Sequence, residues 1–190
     1  MSLARRLSRW FHAVSTGWVT LAALIVFLIF TATVLPSQAA QADAATGGAP
    51  SPDTSLIYTP QELYAMAEAY GATGRAAYIR ARFTFDLVWP VIYLAFLVTA
   101  ISWLSRQVFE PERAWAQLNL IPVIGVGLDY LENITAAWVM GRYPARTPII
   151  DVLAPMFTFL KWVFVGGSFV VLTIVLGLAL RRAVARRARQ

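Results

Sequence analysis

The chain has 190 residues, 58% of them hydrophobic, a mean hydropathy of +0.61 and a formal net charge of +6. Soluble domains are about half apolar, so this composition, gathered into long runs, excludes an ordinary soluble domain. Absence of cysteine excludes disulfides, thiolate metal sites and a cysteine nucleophile, and the only histidine, His12, precedes the first apolar run. No cofactor and no zinc, copper or haem site is therefore expected; an all-carboxylate cation site stays open.

Four apolar segments, 16–35, 85–104, 116–140 and 152–180, are near or above the ~20 residues a helix needs to cross a bilayer. The fold class expected is all-α: a four-transmembrane-helix bundle with a short amphipathic surface helix between spans 1 and 2. Residues 1–36 form an N-terminal anchor span, 37–58 a flexible linker, 59–180 a three-span membrane domain and 181–190 a basic tail.

Arg5, Arg6 and Arg9 before the first span, with Pro36-Ser37-Gln38-Ala39-Ala40 after it, imitate a signal peptide. The apolar run continues to Leu35, longer than the 7–15 residues of a usual h-region, so a retained anchor is expected. Residues 37–58 are rich in Ala, Gly, Pro, Ser and Thr, which reads as an exposed, poorly ordered linker without chemistry. Thr59-Pro60-Gln61-Glu62 then predicts a helix start with a capping box. Leu63, Met66, Ala67 and Tyr70 share one face, and Gly71 is placed to end this helix, which is expected to lie on the membrane surface.

A new helix is expected to begin at Thr73 or Gly74 and to run unbroken into the second span, with a kink at Pro90. Arg75, Tyr78, Arg82 and Asp86 fall on one face, the first three at the outer end, and Arg82–Asp86 has ion-pair spacing; Tyr93 continues that face. Trp89 and Trp103, and Trp115 and Trp138, bracket the second and third spans as interfacial belts. Thr147-Pro148 predicts the start of the fourth helix, with Asp151 complementing its dipole. Arginines at both ends, including Arg181, Arg182, Arg186, Arg187 and Arg189, place both termini in the cytoplasm against anionic headgroups, with Arg106–Arg113 a cytoplasmic loop. Inner-membrane residence is expected, and nucleic acid is not an expected partner, since no basic globular domain accompanies the arginines.

The third span carries Asp129, Glu132 and Asn133, and the fourth carries Lys161, the only lysine. A charge at such depth costs roughly 2.5–3.5 kcal/mol on insertion scales, so these groups are expected to face inward and pair. Gly125, Asp129, Glu132, Asn133 and Ala136 share a stripe, as do Thr158, Lys161, Val165 and Ser168. Levelling Lys161 with Glu132 brings Gly127 and Gly166 to one depth, where close helix approach is expected. Two acids against one ammonium leave a surplus carboxyl that needs a proton, another cation or a metal ion. Asp129, Glu132 and Lys161 are thus candidate catalytic groups. With Asp86, Tyr93 and Asn133 they form a candidate polar centre for ligand binding or for fixing helix register.

The pattern Ala69-Tyr70-Gly71, Gly74-Arg75, Tyr78, Asp86, Trp89-Pro90, Tyr93, Pro122, Asp129-Tyr130-Leu131-Glu132-Asn133 and Lys161-Trp162 resembles an uncharacterised family of bacterial four-span integral membrane proteins. The resemblance covers about residues 59–165 and implies a layout, not an activity. In layout alone the chain is also similar to sterol-isomerase-like four-span proteins. Three functions follow as expectations. The first is a non-enzymatic protein that is structural, binds a lipophilic ligand or serves as a subunit beside a partner membrane protein. The others are an enzyme moving protons on a lipid or isoprenoid, and a proton or cation pathway.

Overall fold

A computed structural model describes residues 2–109 and 114–188. All regular structure among the described residues is helical: α1 Leu3–Val14, α2 Gly17–Ile29, α3 Leu35–Thr46, α4 Pro60–Ala69, α5 Gly71–Arg82, α6 Phe85–Val108, α7 Ile121–Arg142 and α8 Ile150–Arg187. A π-helical turn, Phe30–Val34, joins α2 to α3, and short 3-10 turns lie at Pro52–Thr54 and Ala114–Leu120. Among the described residues, four stretches are long and apolar enough to cross a membrane: Gly17–Thr46, Gly71–Val108, Gln117–Arg142 and Ile150–Arg187. Arg113, Arg189 and the side chain of Trp115, named above for the loop, tail and belt, lie outside the described residues.

The chain divides into two compact units. One comprises Met1–Phe27, Ile92–Ile124 and Phe164–Gln190. Leu104, Val108 and Val175 pack in its core with Trp103 and Leu172, and Phe27 stacks on Phe96 at 4.9 Å. Within this unit α1 is a helix separate from the first span, an element not expected from the sequence. Its helical bonding stops at Ser15, whose ψ of 94° is extended and whose hydroxyl donates to the Phe11 carbonyl at 2.6 Å.

The other unit comprises Leu28–Val91 and Gly125–Val163. Thr59 caps α4 as expected: its Oγ1 accepts from the Glu62 amide at 3.2 Å, while the Glu62 carboxylate accepts from the Thr59 amide at 2.6 Å. Those bonds hold the exposed Glu62 carboxyl below the ordinary glutamate range. Gly71 supplies the positive φ of 60° that separates α4 from α5. The apolar face of α4, expected against lipid, instead enters a protein core: Leu63, Tyr64, Met66 and Ala67 pack with Tyr58, Tyr78, Ala136, Val139, Met140 and Ala154. Protein side chains cover the same stripe that an interfacial helix would give to the membrane.

Three further expectations are corrected. Residues 37–58 do not lack structure, because α3 carries the first helical stretch on to Thr46 and Pro52–Thr54 forms a turn. The helix entering the second span is broken at Phe83-Thr84, upstream of Pro90, and starts at Gly71 rather than Thr73 or Gly74. There the Thr84 hydroxyl donates to the Arg80 carbonyl at 2.7 Å, competing with the backbone ladder. The fourth helix begins at Ile150, and Thr147 is engaged by Tyr64, whose hydroxyl accepts from the Thr147 amide at 2.7 Å.

Close helix approach is also displaced. A Cβ on Gly127, Gly166 or Gly167 would meet nothing within 4 Å, whereas one on Gly74 would meet the Ala45 carbonyl at 2.9 Å and the Tyr70 Cβ at 3.0 Å. The close approach that a glycine permits is therefore that of α5 to the end of α3, at Gly74. Gly74→Ala must push backbone aside, and overpacking of this kind typically costs about 1–3 kcal/mol. A lowered unfolding temperature in detergent is expected for Gly74→Ala; an unchanged one would refute the tight α3–α5 contact.

Candidate functional site

The second unit contains a buried charge cluster drawn from four places in the sequence. Lys161 on α8 places its Nζ 2.5 Å from Glu132 Oε2 on α7. Both side chains are almost wholly shielded, at 8% and 0% exposure. Arg82, at the end of α5, pairs through Nη2 with Asp86 at 2.9 Å, through Nη1 with Asp53, and through Nη1 with the Asn133 side-chain carbonyl at 3.4 Å. Asn133 donates in turn to Asp129 at 3.3 Å. One continuous chain of contacts thus runs Asp53–Arg82–Asn133–Asp129, with Asp86 as its branch.

Local structure explains why these groups meet. Glu132 and Asn133 lie on the buried side of α7, one helical turn beyond Asp129. The break at Phe83-Thr84 lies between Arg82 and Asp86, and their side chains still pair across it. Asp53 is held by its own turn: Ser51 Oγ donates to Asp53 Oδ2 at 3.0 Å, and Tyr70 donates to the Pro50 carbonyl at 2.9 Å. An aromatic wall completes the cluster. The Arg82 guanidinium lies 4.5 Å from the centre of the Tyr78 ring, and the Tyr58 hydroxyl is bonded to Thr158 at 2.9 Å. Burial pushes the Tyr58 hydroxyl above the ordinary phenol range against the opposing effect of that bond.

The sequence-predicted residues separate. Asp86, Asp129, Glu132, Asn133, Lys161, Tyr78 and Arg82 come together. Tyr93 is buried on α6, in the stretch that belongs to the first unit. Arg75 is diverted, donating to the Ala67 carbonyl at 2.8 Å and covering the Tyr143 ring at 4.7 Å, so it braces α4 rather than the cluster. Ser168 spends its hydroxyl on the Phe164 carbonyl, one turn back in its own helix. Asp53, Tyr58 and the bonding role of Thr158 were missed. Asp53 had one signal: Ser51-Pro52-Asp53 is a turn start in which a serine two residues before an acid can donate to its carboxylate, as Ser51 does.

Two features bear on what the cluster can do. Four carboxyls, Asp53, Asp86, Asp129 and Glu132, stand beside two cations, Arg82 and Lys161, and Glu132 Oε1 and the Tyr78 hydroxyl are buried without a hydrogen-bond partner among the described residues. A cavity of about 290 Å³ lies between α3 and α5, walled by Gln38, Gln41 and Thr46 on one side and by Tyr78 and Arg82 on the other, with Asp53 in its lining. The cavity therefore reaches the cluster at its Asp53–Arg82–Tyr78 end.

Asp53 also makes the site sensitive to acid. Burial raises its carboxyl, but Arg82, then Lys161 and the Ser51 bond, outweigh it and hold the group below the ordinary aspartate range. A carboxyl lower in the folded state adds stability above its unfolded pKa of about 3.9, and that contribution is lost as pH falls through the folded value. Hydrogen exchange in residues 47–58, corrected for intrinsic rate, is expected to rise as pH drops below about 4. Asp53→Asn should raise it already at neutral pH and remove the acid-dependent step; a variant retaining that step would assign it elsewhere.

The fold and its site define a helical multi-pass membrane protein with a charge cluster enclosed in one of its two units. No family model matches the chain, and no curated protein or solved structure matches it either.

Proposed function

We propose that this multi-pass protein is non-enzymatic and that its charge cluster is a binding site, taking the hydrogen-bond-donating polar group of a small ligand that enters through the α3–α5 cavity. One observation carries the reading: Tyr78, whose buried hydroxyl has no hydrogen-bond partner among the described residues, is part of the wall of a cavity that also reaches Asp53 and Arg82. A buried polar group without a partner costs about 1–3 kcal/mol, and a guest supplying the missing bond recovers that cost. The acid excess favours a guest bearing donors or positive charge. Terminal arginines support a cytoplasmic position for both ends and inner-membrane residence.

Native mass spectrometry of the protein extracted gently from its own membrane tests this. A small molecule bound at one per chain, with lower occupancy in Tyr78→Phe and in Asp53→Asn, is the expected result. No bound molecule in the wild type, or occupancy indifferent to both substitutions, refutes the reading. A stoichiometric partner protein in its place would favour the subunit alternative.

A second reading, proton transfer on a lipid or isoprenoid or along a proton pathway, is favoured by Glu132 Oε1, an acceptor without a donor among the described residues in a fully shielded position. It requires that Glu132→Gln abolish turnover or proteoliposome proton flux while the folded protein persists. Asp129 would then be the second proton carrier, and Lys161 would stabilise developing negative charge.

A further inference from the structure

We propose that α1 is a membrane-surface helix that binds anionic lipid, with one face seated on the protein, one in the acyl boundary and one on the headgroups. The surface of α1 has three sides. Leu3, Leu7, Trp10 and Val14 recur at intervals of four, three and four, and all are exposed, at 79%, 36%, 57% and 39%. Arg5, Arg6 and Arg9 are exposed beside this stripe, and α1 contains no acidic residue. The third side is polar and covered: Ser8 and Ser15 are buried at 2% and 0% exposure.

That covered side fixes the helix within its unit. Ser8 Oγ donates to Asn119 Oδ1 at 2.8 Å, and Asn119 Nδ2 donates to the Ser8 carbonyl at 3.1 Å and to Ser102 Oγ at 2.9 Å. His12 Nδ1 donates to the Ser102 carbonyl at 3.1 Å, and Arg106 donates to the Ser15 carbonyl. An apolar stripe held outward by hydrogen bonds on the opposite side is not a core waiting to close. Burying it against its own chain would break those bonds.

Position identifies what covers the stripe. Only Ser15 and Thr16 separate α1 from α2, so the helix ends where the first membrane-crossing stretch begins. That stretch is 6% buried over its most apolar window, and Trp18, Val19 and Leu21 at its start are exposed at 81%, 44% and 44%. The exposed apolar surface of α1 thus continues directly into the surface of a helix that itself faces lipid. Trp10 and Trp18 suit the headgroup level, and the arginines extend their stems to reach phosphate. An amphipathic helix with a basic face lies in this interface, attracted by anionic headgroups.

Because the chain has no cysteine, single substitutions give unique labelling sites. Nitroxides are placed at Leu7→Cys, Trp10→Cys, Arg5→Cys and Arg9→Cys in the full chain, reconstituted in phosphatidylcholine with and without phosphatidylglycerol. Oxygen should reach positions 7 and 10 better than a water-soluble nickel chelate does, with the order reversed at 5 and 9. Phosphatidylglycerol should sharpen the contrast several-fold at position 10, and the label at 10 in Arg5→Gln/Arg6→Gln/Arg9→Gln should lose that gain. Equal nickel access at all four positions overturns interfacial seating; a contrast indifferent to phosphatidylglycerol overturns recognition of the headgroup. Shielding of position 10 from both reagents in native membranes but not in vesicles would assign the face to a protein.

Discussion

Lys161→Met is expected to lower stability in detergent by about 3–5 kcal/mol, the usual cost of stranding one member of a buried ion pair, and Lys161→Met/Glu132→Gln to recover most of the loss. The lysine nitrogen is 2.5 Å from Glu132 Oε2, while Glu132 Oε1 already lacks a donor. Removing the ammonium leaves a side chain with 0% exposure and no remaining hydrogen-bond donor among the described residues. Asp129, which accepts from Asn133 in the network of Arg82, is the other acid of this span, and Asp129→Asn in the Lys161→Met background measures its share of the loss. A complete double-mutant cycle separates these outcomes. Additive losses for Lys161→Met and Glu132→Gln would mean that the pair contributes no coupling; rescue by Asp129→Asn equal to that by Glu132→Gln would reassign the lysine's partner.

Physical range decides which parts of this molecule can be read from the chain alone. Spans are local: a run of apolar residues long enough to cross a bilayer can be counted, and all four recur as helices with longer ends. Arg82–Asp86 follows from one helical turn, and Lys161–Glu132 from charge counting, since a lone intramembrane ammonium needs an acid at similar depth. Asp53 resisted such reasoning because its partner is 29 residues away, reached by a path through Ala- and Gly-rich sequence whose composition resembles a solvated linker. Gly74 was passed over for a similar reason. Glycines at matching depths on adjacent spans gave a simple argument for Gly127 and Gly166, but the carbonyl that crowds Gly74 belongs to Ala45 in that same segment. The start of the chain misled differently: three arginines before an apolar run satisfy a signal-peptide pattern, a topology signal and an amphipathic helix at once, and only Asn119 and Ser102, contributed by distant segments, make the helical option visible.

The second large effect is expected at Arg82, and its distribution among partners is more informative than its size. Arg82→Gln should cost about 3–5 kcal/mol, because it removes the cation shared by Asp53 and Asp86 along with a donor to Asn133. The two acids differ in exposure: the Asp86 side chain retains 11% and Asp53 24%. Once unpaired, Asp53 can turn toward the cavity, which it already lines, whereas Asp86 remains among packed helices. Arg82→Gln/Asp86→Asn should therefore recover more stability than Arg82→Gln/Asp53→Asn. Arg82→Lys supplies the contrast: it keeps the charge but replaces a planar fork with a point donor, so it cannot serve both carboxylates in their present places. Stability near the wild type with increased hydrogen exchange confined to residues 47–58 is expected for Arg82→Lys, the ammonium staying with the more buried Asp86. Unchanged exchange there would show that Asp53 is held by Ser51 and the Tyr70–Pro50 bond alone. Equal rescue by the two asparagine substitutions would mean that solvent reaches both acids alike, and the charge cluster would then be open water rather than the enclosed end of a cavity.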